Sequence, residues 1–426
     1  MMDISKLIEV IKENERVSDY EISWSQSDER QLYYVGKALE TNRAVKRESL
    51  NVMLYVDEGE ERGSSSFVVN VFDDENSVKE KIVDTVKRAS AAKNKWYPLT
   101  ENTESTEKSS QTAIDLNTAA LTIADAIFSA DNKEESGLNA TEIFVSTAHH
   151  NFLNSRGVSH SYDKLRAEFE TIPSAEGEHE AVEVYNYTTL REIDDKKIAC
   201  DIKNLLGFSE LRAKAVKASE IDIPSGVPVV IRSDVAGELA MTIANDMSYA
   251  SHYQKFNHFE VGDKIACENL NITLTGDGED AYGLGPIDSH GNVLHEKEIV
   301  KNGKAVALWG SNRFAHYMGE KATGEFNRVV VSAKGDDAYK QEKHILVYSF
   351  SSPQIDWEVG YIGGEVRLAL YFNGDGYIPI TGFSVSGNIF EIMNDMGFSK
   401  CTEDYMDSRI SYSGPKYWIL PKMSVN

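Results

Sequence analysis

Histidines close to carboxylates are the residues of this 426-residue chain that could bind a metal ion or act as a general base. His252 and His258 follow Asp246 closely enough to act together with its carboxylate. His295 and Glu296 begin a His-Glu pair of the metallopeptidase kind, but no second histidine follows one helical turn later. Isolated histidines are more often solvated or hydrogen-bonded than catalytic. These residues are therefore candidates, and their spacing alone does not predict a metal site.

Other catalytic schemes are no more complete. Residues 382–386 read Gly-Phe-Ser-Val-Ser, which lacks the last glycine of the Gly-x-Ser-x-Gly nucleophile elbow. His149 and His150 are adjacent in a predicted strand, so their side chains point to opposite faces and do not form a natural chelate. A hydrolase that uses Asp246 or Ser384 without a metal remains an alternative, although the sequence shows no pairing of a base with a nucleophile.

The element that would position Asp246 is a helix predicted over Ser233–Lys255. Ser233 or Asp234 can cap its first turn by accepting a hydrogen bond from a free backbone N–H group. Apolar residues then recur at helical spacing, so one face is expected to be buried. These apolar residues are Ala236, Leu239, Ala240, Ile243, Ala244 and Met247.

Residues 236–246, with the sequence Ala-Gly-Glu-Leu-Ala-Met-Thr-Ile-Ala-Asn-Asp, resemble the metal-binding helix of the TldD/PmbA peptidases. In the catalytic members of that family this helix carries His-Glu-x-x-x-His, and the resemblance places those three positions on Met241, Thr242 and Asp246. A thioether, a hydroxyl and a single carboxylate do not make a zinc site. The family's third ligand is a late cysteine, which the comparable stretch Tyr412–Pro415 lacks. We therefore predict no metal and no cofactor for this chain.

Further segments resemble the same family in the expected order along the chain. They are Asn154–Gly157, Gly262–Ala266, Ile287–Gly291, Asn302-Gly303, Thr323-Gly324 with Arg328, and Thr381–Asn388. The last of these is the closest match. Its glycines allow a close approach of the backbone and its polar side chains can hydrogen-bond, so it could line a peptide groove or form a structural turn between a strand and a helix. The candidate groove residues are Thr381, Gly382, Ser384, Gly387 and Asn388.

Chain length and the resemblance together predict an α+β protein of two or three domains. We expect an N-terminal α+β domain over residues 1–100 and a middle α+β region over 113–222. A mostly β C-terminal domain over 223–426 is expected to carry the altered metal-helix positions. Thr100–Thr112 is polar and rich in Ser, Thr and Glu, which predicts a linker between the first two regions.

Charge and composition limit the function classes. Relatives carry the label "modulator of DNA gyrase", but DNA binding needs Lys and Arg to neutralise phosphates. Here 68 acidic residues outnumber 44 basic ones, for a net charge of −24, so we expect no nucleic-acid partner. No apolar run approaches the roughly 20 residues that span a bilayer, and Met1–Lys6 does not resemble a signal peptide. Three distant cysteines do not indicate a disulfide framework, so a cytoplasmic protein without membrane contact is expected.

The resemblance implies a specific function. In the TldD/PmbA family two kinds of chain form a heterodimer that degrades unfolded peptides and trims leader segments. This chain is then expected to be the non-catalytic, TldE/PmbA-like subunit, which grips an extended peptide while a TldD-like partner supplies the zinc. The alternative is a stand-alone homodimeric peptide-binding protein of the same fold, with no metal and no peptidase partner.

Overall fold

The computed structural model describes residues 3–101, 106–108, 114–132, 135–177, 181–276, 282–283, 285–407 and 410–426. None of the described helices is long and apolar enough to span a lipid bilayer. The described chain forms three sheets and their covering helices, and its part after residue 223 is mostly β, which confirms the predicted α+β class.

The N-terminal half is built on one sheet, which has nine strands among the described residues. They are β1 (Asp19–Val35), β2 (Ala38–Glu58), β3 (Glu61–Val68), β4 (Lys93–Lys95), β5 (Thr106–Lys108), β6 (Ser136–Asn154), β7 (Ser159–Glu176), β8 (Ala181–Glu183) and β9 (Asn186–Leu190). Their order is β4-β3-β2-β1-β6-β7-β5, and β8 and β9 also pair with β7. The four central strands are 17 to 21 residues long, so the sheet has room for separate groups of helices along its length.

Two pairs of helices cover one face of this sheet at its opposite ends. The helices are α1 (Ile4–Lys12), α2 (Glu75–Ala91), α3 (Leu116–Ala130) and α4 (Asp195–Ala213). Each begins directly after an aspartate whose side chain accepts hydrogen bonds from backbone N–H groups of the first turn, which is why the helices start there. Helices α1 and α2 pack over Ile22 and Val52, whereas α3 and α4 pack over Ile143 and Phe169.

The first two predicted regions contribute to the same sheet. Strand β1 pairs with β6 along the whole of Glu21–Val35, so the two regions are joined by a continuous ladder. Each region nevertheless has its own hydrophobic cluster under its own helix pair. The predicted linker Thr100–Thr112 contains the edge strand β5, and its residues 102–105 and 109–112 lie outside the described residues.

The C-terminal half contains two further sheets. Its strands are β10 (Val216–Lys217), β11 (Val229–Arg232), β12 (Asn271–Thr275), β13 (Lys297–Lys301), β14 (Lys304–Ala305), β15 (Arg328–Ser332), β16 (His344–Phe350), β17 (Gln354–Asp356), β18 (Tyr361–Phe372), β19 (Tyr377–Thr381), β20 (Phe383–Asn388), β21 (Gly397–Phe398), β22 (Thr402–Met406), β23 (Ser411–Pro415), β24 (Tyr417–Leu420) and β25 (Ser424–Val425). One sheet has the order β10-β19-β18-β16-β11-β24-β21, with β17 and β20 on β18 and β25 on β20. The other has the order β14-β13-β12-β15-β23-β22.

Helix α5 (Ser233–Asp246) lies between these two sheets. The C-terminal half also contains three shorter helices, α6 (Tyr249–Gln254), α7 (Asn312–Met318) and α8 (Ile389–Ile392). Helix α5 contacts β11 and β24 of the larger sheet and β12, β15, β22 and β23 of the smaller one. The predicted apolar face is buried, since Ala236, Ala240, Ile243 and Ala244 have no exposed surface. This arrangement makes α5 the centre of the C-terminal core.

The predicted single helix Ser233–Lys255 is wrong in two respects. The chain leaves the helix after Asp246, pairs Ser248 with Trp309 in an isolated bridge, and then forms α6. The residue before the first turn is Arg232, which makes no side-chain cap. Ser233 instead hydrogen-bonds to the carboxylate of Glu403, a strand contact that the local sequence does not reveal.

Candidate functional site

The carboxylate of Asp246, at the last position of α5, accepts hydrogen bonds from three N–H groups. Its Oδ1 accepts from the backbone N of His258 at 2.8 Å and from Nε1 of Trp357 at 2.6 Å. Its Oδ2 accepts from the backbone N of Phe259 at 3.1 Å. The side chain is 1% exposed. This carboxylate therefore ties the end of the helix to the 257–260 loop and to the turn between β17 and β18, because charge-assisted hydrogen bonds in a dry environment are strong.

Aromatic side chains pack around this carboxylate. Phe390 lies at the centre of the group, with its ring centroid 4.7 Å from that of His258, 5.2 Å from that of Trp357 and 6.0 Å from that of Phe259. Nδ1 of His258 is 3.4 Å from Oδ1 of Asp246, so the predicted proximity of these two residues is correct. The imidazole belongs to an aromatic cluster, however, and the carboxylate is already occupied by N–H donors.

Met241 and Thr242 do not converge with Asp246. Oγ1 of Thr242 donates a hydrogen bond to the carbonyl oxygen of Glu238 at 2.8 Å, and Met241 is half-buried against the core. Helix α5 is regular through Asp246, so positions five residues apart are separated by about 140° around its axis. The structure thus places Met241 and Asp246 on different sides of the helix, while the Thr242 hydroxyl is bonded to a backbone carbonyl within the helix.

The strand that corresponds to the family's late cysteine packs directly on α5. A Cβ atom on Gly237 would lie 2.9 Å from Cβ of Tyr412, so the helix and β23 approach each other more closely than any other residue type permits. The Tyr412 hydroxyl donates to the carbonyl oxygen of Pro415 at 2.8 Å and accepts from Nε1 of Trp418 at 3.0 Å. This stretch is therefore part of the core.

These side chains do not fit a zinc ion. Zinc in proteins takes thiolate, imidazole and carboxylate ligands that converge on one point. Here the three positions supply a thioether, a hydroxyl that donates to a backbone carbonyl, and a carboxylate that already accepts from three N–H groups. Within the described residues no group of three or more His, Cys, Asp or Glu side chains is arranged to hold a metal ion.

The first three candidate groove residues make contacts within the larger sheet. Oγ1 of Thr381 donates to the carbonyl oxygen of Arg367 at 2.8 Å, and Gly382 takes a φ of +72° between β19 and β20. The backbone of Ser384 exchanges two hydrogen bonds with Asn426, at 2.8 and 2.9 Å. Because β20 pairs with β18 on one edge and with β25 on the other, its backbone is already engaged at these positions.

Gly387 and Asn388 have equally local contacts. A Cβ atom on Gly387 would lie 2.5 Å from Sδ of Met423, so the chain packs closely there. Oδ1 of Asn388 caps α8 by accepting from the backbone N of Phe390 at 2.9 Å, which connects this segment to the aromatic cluster around Asp246. Their role in a peptide groove stays a prediction, since the fold itself accounts for these residue types.

The remaining candidate histidines lie elsewhere. Nδ1 of His252 is 3.5 Å from a carboxylate oxygen of Glu260, and its side chain is 6% exposed. His295 lines a cleft of about 340 Å³ at the junction of the N-terminal sheet with the C-terminal half. The other residues lining this cleft include Glu101, His160, Glu296, Lys297 and Lys321. Its lining therefore contains both charge types.

His290, at the junction of the two halves, is held by a distant strand. Nδ1 of His290 lies 3.0 Å from Oε2 of Glu21, which also accepts a hydrogen bond from the Tyr55 hydroxyl at 2.8 Å. Burial alone would lower the pKa of His290, but the hydrogen bond and the charge of Glu21 outweigh it and raise that pKa to about 9. The imidazolium therefore links the two halves of the molecule at neutral pH. A separation of 269 residues left no local signal for this pair.

Comparison with known proteins agrees with this architecture. Residues 224–426 match the sequence profile of the PmbA/TldA metallopeptidase C-terminal domain. The sequence has no match among curated proteins. The fold is similar to that of TldE from Thermococcus kodakarensis, with a TM-score of 0.80 and 16% identity over 99% of both chains.

Two other crystal structures share the fold. A proposed modulator of a DNA gyrase from Thermotoga maritima gives a TM-score of 0.74 with 12% identity over 99% of both chains. A proposed modulator of DNA gyrase from Bacteroides thetaiotaomicron gives 0.77 with 14% identity over 99% of this chain and 97% of that one. The C-terminal half fits the family profile and the fold is shared along the whole chain, so these comparisons support the resemblance of this protein to the TldD/PmbA family.

Proposed function

We propose that this chain is a non-catalytic, TldE/PmbA-like subunit of a cytoplasmic TldD-type metallopeptidase complex that acts on unfolded peptides or leader segments. The proposal rests on the hydrogen bonds of Asp246. Its buried carboxylate is committed to three N–H donors, at a position where catalytic relatives carry a metal ligand. This chain keeps the family fold, but its side chains at the metal positions make structural contacts. We therefore assign the catalytic metal to a partner chain.

Exposed apolar side chains next to the aromatic cluster support a partner surface there. Phe256 follows α6, Val261 follows the loop that donates to Asp246, and Val359 lies in the turn that contains Trp357. All three are more than half exposed. Each lies two residues in sequence from a member of the aromatic cluster, and exposed apolar side chains that gather on one surface mark interaction sites. The surface lies beside the altered metal positions, where a catalytic partner would need to approach.

An edge strand supports the binding of an extended peptide. The smaller C-terminal sheet ends at β22, which has no strand neighbour on its outer side among the described residues. Backbone groups on such an edge can pair with an added strand, which gives affinity without strong sequence preference. This mode suits substrates defined by being unfolded.

Co-expression with a TldD-type subunit that carries His-Glu-x-x-x-His tests the proposal. We expect a stable complex in size-exclusion chromatography, zinc only in the presence of the partner, and cleavage of an unfolded peptide only by the complex. Val359→Asp should dissociate the complex by placing a charge in the contact surface. Val35→Asp is the matched control, because Val35 is equally exposed but lies at the tip of the β1–β2 hairpin.

Two outcomes would contradict the proposal. Stoichiometric zinc in the isolated chain, lost in Asp246→Ala, would indicate an enzyme that is active by itself. A homodimer that binds unfolded peptide and does not recruit the catalytic subunit would favour the stand-alone binding protein.

A further inference from the structure

Ser161, His149 and Asp163 form a continuous hydrogen-bonded chain on the N-terminal sheet. Nδ1 of His149 is 2.6 Å from Oδ1 of Asp163, and Nε2 of the same ring is 3.2 Å from Oγ of Ser161. An ionised carboxylate only accepts hydrogen bonds, so Nδ1 carries the ring proton and Nε2 keeps the lone pair that accepts the serine O–H. These are the atoms and the connections of a Ser-His-Asp nucleophile triad.

Strand pairing brings the three side chains together. His149 on β6 lies directly opposite Asp163 on β7, and directly opposite residues of neighbouring strands share a face. Ser161 precedes Asp163 by two positions and therefore points to the same face. The β6–β7 hairpin thus fixes the triad on two long, regular strands, which hold side chains more exactly than loops do.

The triad lies on the floor of a gap between the two helix pairs. Along β6, Leu153 packs against the α1–α2 cluster and Val145 against the α3–α4 cluster, on the same face as His149. His149 is four residues from each, a distance of about 14 Å along the strand. The side chain of His149 is 48% exposed and that of Asp163 28% exposed. A small substrate can therefore reach the serine from solvent.

The same face carries a neutral hydrogen-bond donor beside the serine. Asn151 on β6 is directly opposite Ser161 on β7, which places their Cβ atoms about 5 Å apart. A side-chain amide at this distance can donate to the oxygen that becomes negative when a serine attacks a carbonyl carbon. Nucleophile, base, orienting carboxylate and oxyanion donor thus occupy two adjacent rows of one sheet face.

We propose that this constellation is an acyl-transfer site that hydrolyses small carboxylic esters, separate from the Asp246 region. Oγ of Ser161 bonds to the carbonyl carbon while its proton passes to Nε2 of His149. The tetrahedral adduct, with its oxyanion on the Asn151 amide, expels the alcohol, which takes that proton. Water then attacks the acyl-serine through the same base, releasing the carboxylic acid and restoring Ser161.

The openness of the site selects esters over amides. Hydrogen bonds and charges stabilise a transition state less in a solvent-exposed site than in a dry one, since the effective dielectric constant is higher. An alkoxide or phenoxide leaving group demands less stabilisation than an amine does. Asp163 acts on the reaction through His149 and is therefore a positioning residue.

The purified full-length chain tests this site directly. A fluorophosphonate probe, which loses fluoride as it bonds to an activated serine oxygen, should label Ser161, with the modified peptide identified by mass spectrometry. Hydrolysis of p-nitrophenyl acetate should show a burst that Ser161→Ala removes. His149→Gln should lower kcat by about 100-fold, the usual worth of a general base. Asp163→Asn should lower kcat about tenfold or more at unchanged KM and unchanged unfolding midpoint.

Ser159→Ala is the matched control for these variants. Ser159 is an exposed serine on the same face of the same strand, but its cross-strand partner is Leu153 instead of a histidine. It should keep full labelling and full hydrolysis. The proposal is overturned if Ser161 is unlabelled in the folded wild-type chain, if labelling survives His149→Gln, or if Ser159→Ala lowers hydrolysis as much as Ser161→Ala does.

Discussion

An aspartate lies next to a histidine in two regions of the molecule, at the end of α5 (Asp246 and His258) and on the N-terminal sheet (Asp163 and His149). The two aspartates differ in burial and in what they bind. Asp246 is 1% exposed and its two oxygens accept from three N–H groups. Asp163 is 28% exposed and orients an imidazole whose other nitrogen faces a serine. The first carboxylate holds chain segments together, whereas the second leaves a reactive pair accessible.

Burial explains this difference. A carboxylate that loses water must recover its hydrogen bonds from the protein, and at α5 the available donors are backbone N–H groups and an indole. Those donors satisfy the hydrogen-bonding capacity of the carboxylate and, in the same arrangement, shield it from solvent. On the open sheet face, solvent can reach the carboxylate, the imidazole and the hydroxyl. A buried carboxylate whose hydrogen bonds come from the chain itself thus stabilises the fold, whereas an accessible carboxylate can orient a reactive group.

The largest expected effect comes from truncating the two aspartates in parallel. Asp246→Ala should lower the free energy of unfolding by about 3 kcal/mol, since it leaves three N–H donors without their acceptor. Asp163→Ala should lower it by less than about 1 kcal/mol, because its partner is solvent-exposed. Urea unfolding followed by tryptophan fluorescence measures both. Equal losses would contradict this interpretation, because they would show that the two carboxylates contribute equally to the free energy of unfolding.

A second test asks whether the closed packing extends along α5. Gly237→Ala should cost about 2 kcal/mol, because the new methyl would overlap the Tyr412 side chain 2.9 Å away. Gly207→Ala in α4 is the control, since a Cβ there meets nothing within 4 Å. That change should instead stabilise by about 0.5–1 kcal/mol by restricting the unfolded chain. Thermal unfolding measures the stability of both variants. If Gly237→Ala leaves the stability unchanged, α5 is not tightly packed against Tyr412.

The smallest effect concerns the junction between the compared halves. The pKa of His290 rises from 6.5 to about 9 in the folded protein, so its stabilisation is complete below pH 6.5, declines from there, and is gone above pH 9. Its side chain is 32% exposed, and solvent screening reduces the effect to about 1–2 kcal/mol. His290→Gln should remove this loss. Urea unfolding at pH 6 and pH 9.5 gives the difference for each protein, and identical pH dependence would exclude the ion pair as the cause.

Local pattern predicted many elements correctly. Helical spacing predicted the buried face of α5, and the Asn154–Gly157 turn forms the tip of the β6–β7 hairpin, with Gly157 at a φ of +88°. Strand β7 runs without a break over Ser159–Glu176. The helix break after Asp246 was missed because it depends on the pairing of Ser248 with Trp309, 61 positions away.

The acidic charge and the fold class can be inferred from the sequence, because they follow from residue type and order, and its resemblance to the TldD/PmbA peptidases predicts altered metal positions at Met241, Thr242 and Asp246. How the side chains at these positions are used, and which residues become their neighbours, depends on the tertiary structure. Trp357 reaches Asp246 across 111 residues, and His149 reaches Ser161 only through the register of a hairpin. Hydrogen bonds act over about 3 Å, so a partner that folding brings from far along the chain leaves no trace in local spacing.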